Sequence, residues 1–281
     1  MQKVKQLISD HVPQVLKDIL GQVNKVLYRG AKYKCPLCLN NLRSFLPLPS
    51  EFRIALEIQG RRFTASDFET LNVDEYLCPV CRCADRDRLS ALFLKRLPKE
   101  PQSKKTLLHF APERALSFYL RRNFRYSYRT ADLFRKDVDD RVDISRMDNY
   151  ATSSIDCFIC SHVLEHVQDD ASAVKELFRI LKPTGWGILL APIIPDLART
   201  YEDPSKTTEM ERLQYFGQKD HLRVYGKTDF INLLKAAGFK VSQLGAKFFG
   251  ENELERHGIA KRSCLYVVHK TPELAFAEVS S

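Results

Sequence analysis

Two cysteine pairs carry the sharpest chemical signal in the chain. Cys35-Pro36-Leu37-Cys38 and Cys78-Pro79-Val80-Cys81 share the form C-P-x-C, with 39 residues between them. Two intervening residues let both sulfurs of a pair reach one ion, and two such turns complete the tetrahedron that zinc takes. Proline after the first cysteine stiffens each turn. A closed four-thiolate site has no open position for water, so Cys35, Cys38, Cys78 and Cys81 point to Zn2+ with a folding role. Cys83 is a spare thiol nearby in sequence. A thioredoxin-like redox pair is the alternative, but two matched pairs are better explained by one metal site. Two histidines in loop-like contexts, His162 and His221, are candidate general bases, because imidazole titrates near neutral pH.

The elements that would position these groups fall into four stretches. Residues 1–30 form an amphipathic segment, with an apolar stripe from Val4 to Leu27 interrupted by Pro13 and Gly21, so a kink or two helices are expected there. This stripe packs on the rest of the protein, or serves a membrane surface or a homodimer contact. Residues 31–98 form the cysteine-bearing module, closed by a helix over Asp85–Leu97. Pro98–Ser103 reads as a linker. From residue 104 to 272, strands alternate with helices, and 273–281 is a tail. Thr106–Phe110, Tyr126–Thr130, Ser154–Cys160, Gly187–Pro192, Phe239–Leu244 and Ser263–His269 read as strands. Pro112–Arg122, Ala171–Leu181 and Thr228–Ala237 read as helices, and Lys182–Gly185 as a turn. Such alternation means a parallel sheet covered on both faces, with ligands beyond the C-terminal strand ends.

The run from Ser154 through His162-Val163-Leu164-Glu165-His166 to Leu181-Lys182-Pro183-Thr184-Gly185 resembles class I S-adenosylmethionine-dependent methyltransferases, as does Ala236-Ala237-Gly238-Phe239. The resemblance covers about 104–270. It implies an α/β, Rossmann-like doubly wound sheet joined to a small N-terminal zinc-binding domain. It also implies S-adenosylmethionine as cofactor. Asp132, after the second strand of this domain, would hold the ribose hydroxyls, and Asp143 the adenine amino group. The first loop, Leu107–Ala115, has no glycine where the family has several. Ala111 and Ala115 would replace two of them, His109 stands where the family often has an acidic residue, and Glu113 would reach the methionine ammonium. Ser161 closes the cofactor set, and His162 or His221 would remove the acceptor's proton. His162–His166 also matches the H-x-x-E-H pattern of inverted zinc metalloproteases, which would need one continuous helix, and it resembles the E-x-x-E-H with which some ubiquinone-pathway O-methyltransferases hold a divalent ion, His162 replacing the first glutamate.

Charge and composition narrow the partners. The chain has 281 residues and a formal net charge of +9. Its 15 basic and 5 acidic residues between Arg82 and Lys136 hold the whole excess. Nucleic acid, a phosphorylated substrate or a solvated basic face would each explain that segment. No stretch is apolar enough for a transmembrane helix, the N-terminal residues do not form a secretory signal, and the thiols suit a reducing cytoplasm. The favoured acceptor is a saccharide intermediate or small metabolite. RNA methylation is the alternative, and a non-catalytic binding protein on a degenerate methyltransferase fold is the second. Arg223 and Tyr225 are expected on the acceptor side.

Overall fold

The computed structural model describes residues 14–50, 52, 62–98 and 105–271. The N-terminal part of the amphipathic segment with Pro13, the 99–103 part of the linker and the 273–281 tail lie outside the described residues. Gln14–Leu27 is helix α1, and Asn24 Nδ2 donates to Pro79 O at 2.9 Å, which ties the helix to the second cysteine turn. Arg29–Lys34 (β1) and Asn41–Leu42 (β2) pair antiparallel around the first cysteine turn. Asp85–Arg96 is α2, where Asp87 accepts from Ala84 N–H at 2.8 Å to cap the helix start.

The remaining chain builds one seven-stranded sheet. Its members are β3 (Thr106–Phe110), β4 (Ser127–Asp132), β5 (Asp140–Arg141), β6 (Ile155–Ser161), β7 (Leu181–Leu190), β11 (Lys240–Leu244) and β12 (Leu265–His269). Their order is β11-β12-β7-β6-β3-β4-β5. All neighbouring pairs are parallel except those of β12, which runs antiparallel to both β7 and β11. The chain therefore winds outward from β3 in one direction and from β6 in the other. The crevice between those two strands is the switch point where open α/β sheets bind ligands. Helices α3 (Arg114–Asn123), α4 (Asp170–Ile180) and α6 (Lys227–Ala236) make the crossovers. Burial on both faces explains why Leu107, Phe158, Ile159, Ile188 and Val267 are fully enclosed.

Three further short strands, β8 (Ile193–Ile194), β9 (Tyr201–Glu202) and β10 (Arg223–Gly226), form a small sheet of their own. Helix α5 (Glu209–Phe216) lies between β9 and β10, and α7 (Ala246–Phe249) and α8 (Glu251–Arg256) lie between β11 and β12. The turn expected at Lys182–Gly185 is instead absorbed into β7. Ile155 pairs with Leu181 and Cys157 with Trp186, so the four residues 182–185 stand opposite Asp156 alone, which holds Lys182 Nζ at 2.8 Å.

The cysteine module and the sheet share one core. Tyr33, Leu42 and Phe45 of the module, Phe93 of α2 and Trp186 of β7 belong to a single buried cluster. Arg88 is the fastener. Its fully buried guanidinium donates to five carbonyls: Glu75, Tyr76, Cys83, His257 and Gly258. A buried charge is tolerated there because each N–H is satisfied.

Candidate functional site

The four sulfurs of Cys35, Cys38, Cys78 and Cys81 lie within 4.8 Å of one another. The Cys35–Cys81 and Cys38–Cys78 separations are both 3.7 Å. A tetrahedron with zinc–sulfur bonds of about 2.3 Å has edges of about 3.8 Å. The donor set therefore fits Zn2+ in both kind and spacing. Burial pushes the Cys35 thiol up, whereas hydrogen bonds from Cys35 and its neighbours hold Cys78 low. Cys83 Sγ is 3.6 Å from Cys35 Sγ but outside the group of four, and it is fully buried.

A cavity of about 890 Å3 opens between this module and the C-terminal ends of the sheet strands. Leu37, Leu48, Phe68, Leu77 and Val80 contribute its apolar module side. Ala111, Glu113, Ser161 and His162 bring the sheet side. Two residues shape the mouth of the β3/β6 crevice. Ala111, directly after β3, has φ +45°, and His162, directly after β6, has φ +55°. Left-handed backbone costs a non-glycine residue about 1–2 kcal/mol. Both chains thus turn sharply away from the sheet without a glycine, and Ala111 is held by its N–H donating to Ala131 O at 2.8 Å.

His109 does not face the cavity. It is fully buried, with Nε2 at 2.8 Å from Glu113 Oε2 and Nδ1 at 2.8 Å from the Tyr128 hydroxyl. A carboxylate only accepts, so the Nε2 proton points to Glu113. Tyr128 in turn donates to Ser117 Oγ at 2.8 Å. Glu113 stands at the start of α3, and burial would raise its carboxyl, but the hydrogen bond from His109 and the charge of Arg86 leave it lowered.

Asp132 ends β4 and is buried. Its Oδ1 accepts from Phe134 N at 2.7 Å and Arg135 N at 2.9 Å. Arg135 bridges to Pro112 O at 2.7 Å, tying the loops after β3 and β4 together. Asp143 is exposed, and its Oδ1 accepts from Ser145 N and Oγ in a local turn outside the cavity lining. Ser161 Oγ is buried at the cavity wall without a hydrogen bond.

The segment His162–His166 is not the continuous helix that a metalloprotease motif needs. His162 is left-handed, and Leu164–His166 is a single 3-10 turn. Leu222 N–H donates to Glu165 O at 2.8 Å, stitching the His221 segment to this turn. The H-x-x-E-H spacing already groups His162, Glu165 and His166; the fold adds His221, which the spacing does not give. Glu165 is fully buried, with His162 Nδ1 at 3.2 Å and His221 Nε2 at 3.9 Å from its Oε1. The rings of His166 and His221 meet edge to face at 4.7 Å. Burial alone would raise the Glu165 carboxyl, but the contact with His162 and the surrounding imidazoles hold it at about 2. Burial, reinforced by the charge of Arg86, lowers His162, and burial lowers His221 to about 4.

Arg223 and Tyr225, expected on the acceptor side, point inward instead. Arg223 donates to the carbonyls of Leu164, Val167 and Gln168 and pairs with Glu202 at 2.7 Å. Tyr225 donates to Asp170 Oδ2 at 2.6 Å. Their strand, β10, lies between β8 and β9, so these side chains brace the His162–Val167 turn. The sequence reading also missed Arg86 and Asp87, which line the cavity from α2. The sequence reads both only as part of the helix over Asp85–Leu97.

Comparison with known proteins bears on this geometry. A model described as a methyltransferase domain matches residues 84–244, more than half of the chain, starting at the cap of α2. A comparison with curated proteins finds no match. Among solved structures, similarity extends to the CMeT domain of the citrinin polyketide synthase, at 15% identity and a TM-score of 0.42, over 66% of this chain and 50% of that one. The chain thus spans about half the length of that domain structure. An S-adenosylmethionine-dependent methyltransferase from Archaeoglobus fulgidus matches at 11% identity and a TM-score of 0.41, over 65% of this chain and 92% of that one. The 1,6-didemethyltoxoflavin-N1-methyltransferase of Burkholderia thailandensis matches at 13% identity and a TM-score of 0.39, over 59% and 71%.

Proposed function

The chain belongs to the methyltransferase domain family, and from that premise we propose that it is an S-adenosylmethionine-dependent methyltransferase acting on a small acceptor in the cavity beside the cysteine module. The observation that carries this reading is the crevice between β3 and β6, opened by the left-handed residues Ala111 and His162. When bound, S-adenosylmethionine supplies a sulfonium methyl group that needs alignment more than activation. The chain's own residues do the rest. Asp132 keeps Oδ2 for the ribose hydroxyls while Oδ1 holds its turn. Glu113, fixed by His109, takes the methionine ammonium, and Ala111 and Ser161 flank it. Asp143, outside the cavity lining, is the proposed partner of the adenine amino group.

His162 is the first candidate base. Its Nδ1 faces Glu165, which leaves Nε2 to accept the proton that the acceptor loses. Its lowered pKa keeps it neutral, and so able to accept, at pH 7. His221 is the second candidate.

The cavity suits an acceptor with an apolar body and an anionic or hydroxyl-rich edge. Leu48, Phe68 and Phe118 give apolar wall, and Arg82, Arg86 and Arg114 give guanidinium groups. A saccharide intermediate or small metabolite is favoured over RNA. Much of the basic surplus in 82–136 is spent internally: Arg88 on carbonyls, Arg129 on Asp140 and Arg135 on Asp137. Cys35, Cys38, Cys78 and Cys81 hold structural Zn2+, and eight free cysteines suit a reducing, cytoplasmic setting. Among the described residues no helix is long and apolar enough to cross a membrane.

Calorimetric titration of the full chain with S-adenosylhomocysteine tests the reading. Saturable binding that is lost in Asp132→Asn supports it. No binding by folded, zinc-loaded protein overturns it and favours a non-catalytic binding protein.

A further inference from the structure

Glu165 poses a problem that the proposed chemistry does not solve. Its carboxylate is 0% exposed, yet neither Oε1 nor Oε2 has a hydrogen bond. His162 Nδ1 is 3.2 Å away but off the line of a hydrogen bond, and His221 Nε2, at 3.9 Å, is beyond its reach. Buried carboxylates are ordinarily paired, hydrogen-bonded or bound to a metal.

The two neighbouring histidines are oriented in a way that answers this. His221 Nδ1 donates to Phe216 O at 3.3 Å, which fixes its tautomer and leaves Nε2 with a lone pair. That Nε2 is buried and has no hydrogen bond. His166 Nδ1 donates to Asp220 O at 3.2 Å, so its Nε2 is likewise the basic nitrogen. Ring N–H groups anchored on backbone carbonyls, with the other nitrogen bare, are the outer-shell arrangement of metal-bound histidines. One donor atom from each of Glu165, His166 and His221 lies within 4.8 Å of the other two. The Glu165 Oε1 to His221 Nε2 separation, 3.9 Å, exceeds the edge of a tetrahedron with bonds of about 2.1 Å by roughly half an ångström. A small side-chain adjustment closes that gap.

We propose that Glu165, His166 and His221 form a second metal site, for a divalent transition-metal ion of the Zn2+ or Fe2+ kind. Two imidazoles with one carboxylate select such ions over Mg2+ or Ca2+, which take oxygen ligands. Unlike the four-thiolate site, this one supplies three ligands and keeps open positions. His166 and His221 both line the cavity, so those positions face whatever occupies it. His162 stays outside the ligand set, with its Nδ1 toward Glu165.

Metal counting on the full chain tests this without cofactor or acceptor, so its outcome is independent of the methyl-transfer reading. The chain is equilibrated with Zn2+, freed of excess and counted by mass spectrometry. A parallel Co2+ exchange reads thiolate-to-cobalt absorption, which reports the cysteine site and the fold around it. The expected result is a further equivalent beyond the thiolate-bound ion in the wild type. Glu165→Gln and His221→Gln lose that equivalent and keep the thiolate band. A wild type that holds only the thiolate-bound ion overturns the proposal. Variants that keep both ions overturn it equally.

Discussion

Asp132→Asn separates the proposed ligand contact from a structural one within a single side chain. Oδ1 of Asp132 already accepts two backbone N–H groups, from Phe134 and Arg135, at 2.7 and 2.9 Å. An asparagine keeps that carbonyl acceptor and the turn with it. What it loses is Oδ2 and the negative charge, which two ribose hydroxyls would otherwise share. Hydrogen bonds to charged groups contribute about 1.5–3 kcal/mol each, and one partial contact survives in the amide. The expected loss is about 2–4 kcal/mol of binding, or roughly 30- to 1,000-fold in Kd. The assay is calorimetry with S-adenosylhomocysteine, which does not turn over, beside a melting curve for each protein. Melting should move by no more than about 2 °C, since less than 1 kcal/mol of folding stability is at stake. A Kd unchanged within about threefold, in a variant that melts like the wild type, refutes the assignment of Asp132 to the ribose.

Four further outcomes are expected. Ala111→Val puts a β-branched residue at φ +45° and should cost about 1–2 kcal/mol, read as a melting point lower by roughly 2–8 °C, while Ala111→Gly should not destabilise. Burial, then the charge of Glu113, pushes the Asp87 carboxyl up to about 7. A raised carboxyl favours folding below its unfolded value near 3.9 and loses that contribution as pH rises toward 7, so Asp87→Asn should gain stability over wild type at pH 8, by at most about 4 kcal/mol, and little at pH 4, in denaturant titrations at both. Stripping the proposed Zn2+ from Cys35, Cys38, Cys78 and Cys81 with a strong chelator should open the cysteine module to protease, because loss of a structural Zn2+ costs about 10 kcal/mol of folding free energy. Arg223→Lys removes donors to buried carbonyls and should cost about 3 kcal/mol in stability, with His162 displaced and catalysis impaired more than cofactor binding.

The parts of the fold visible in the sequence are those fixed by local pattern. Strands β3, β4, β6, β11 and β12 and helices α2, α3, α4 and α6 fall within two residues or so of their expected bounds, because their apolar spacing is buried on one or both faces. The short strands β8, β9 and β10 carry no such pattern. Two- to four-residue strands exist only through their partners, and Arg223 at the head of β10 reads as a surface residue until its carbonyl acceptors are known. The same holds for the site. The four cysteines announce themselves by spacing alone. The full Glu165–His166–His221 cluster does not, because His166 and Asp220 are 54 positions apart, and the segments meet through the Leu222-to-Glu165 backbone bond, the His166–Asp220 contact and the Arg223 bonds to Leu164, Val167 and Gln168.

The glycine-free first loop is best understood as a division of labour. A glycine there would normally turn the chain, stay small beside the ligand and tolerate a close helix. Here the turn is made by Ala111 in a left-handed conformation, anchored to Ala131 O. On the proposed reading, closeness to the ligand is left to Ala111 and Ala115, the smallest side chains after glycine. Rigidity comes from beneath, where Ser117, Tyr128, His109 and Glu113 form one hydrogen-bonded chain from α3 through β4 and β3 to the cavity wall. Arg135 closes the arrangement from the side by holding Pro112 O. Each device places its cost on a residue that the core or a partner already constrains, so the loop keeps the shape that glycines would have allowed. It gives up their freedom to adjust. The proposed cofactor cleft should therefore be pre-formed, and substitutions that loosen the hydrogen-bonded chain, such as Tyr128→Phe, should act on S-adenosylhomocysteine affinity through the position of Glu113 rather than through direct contact.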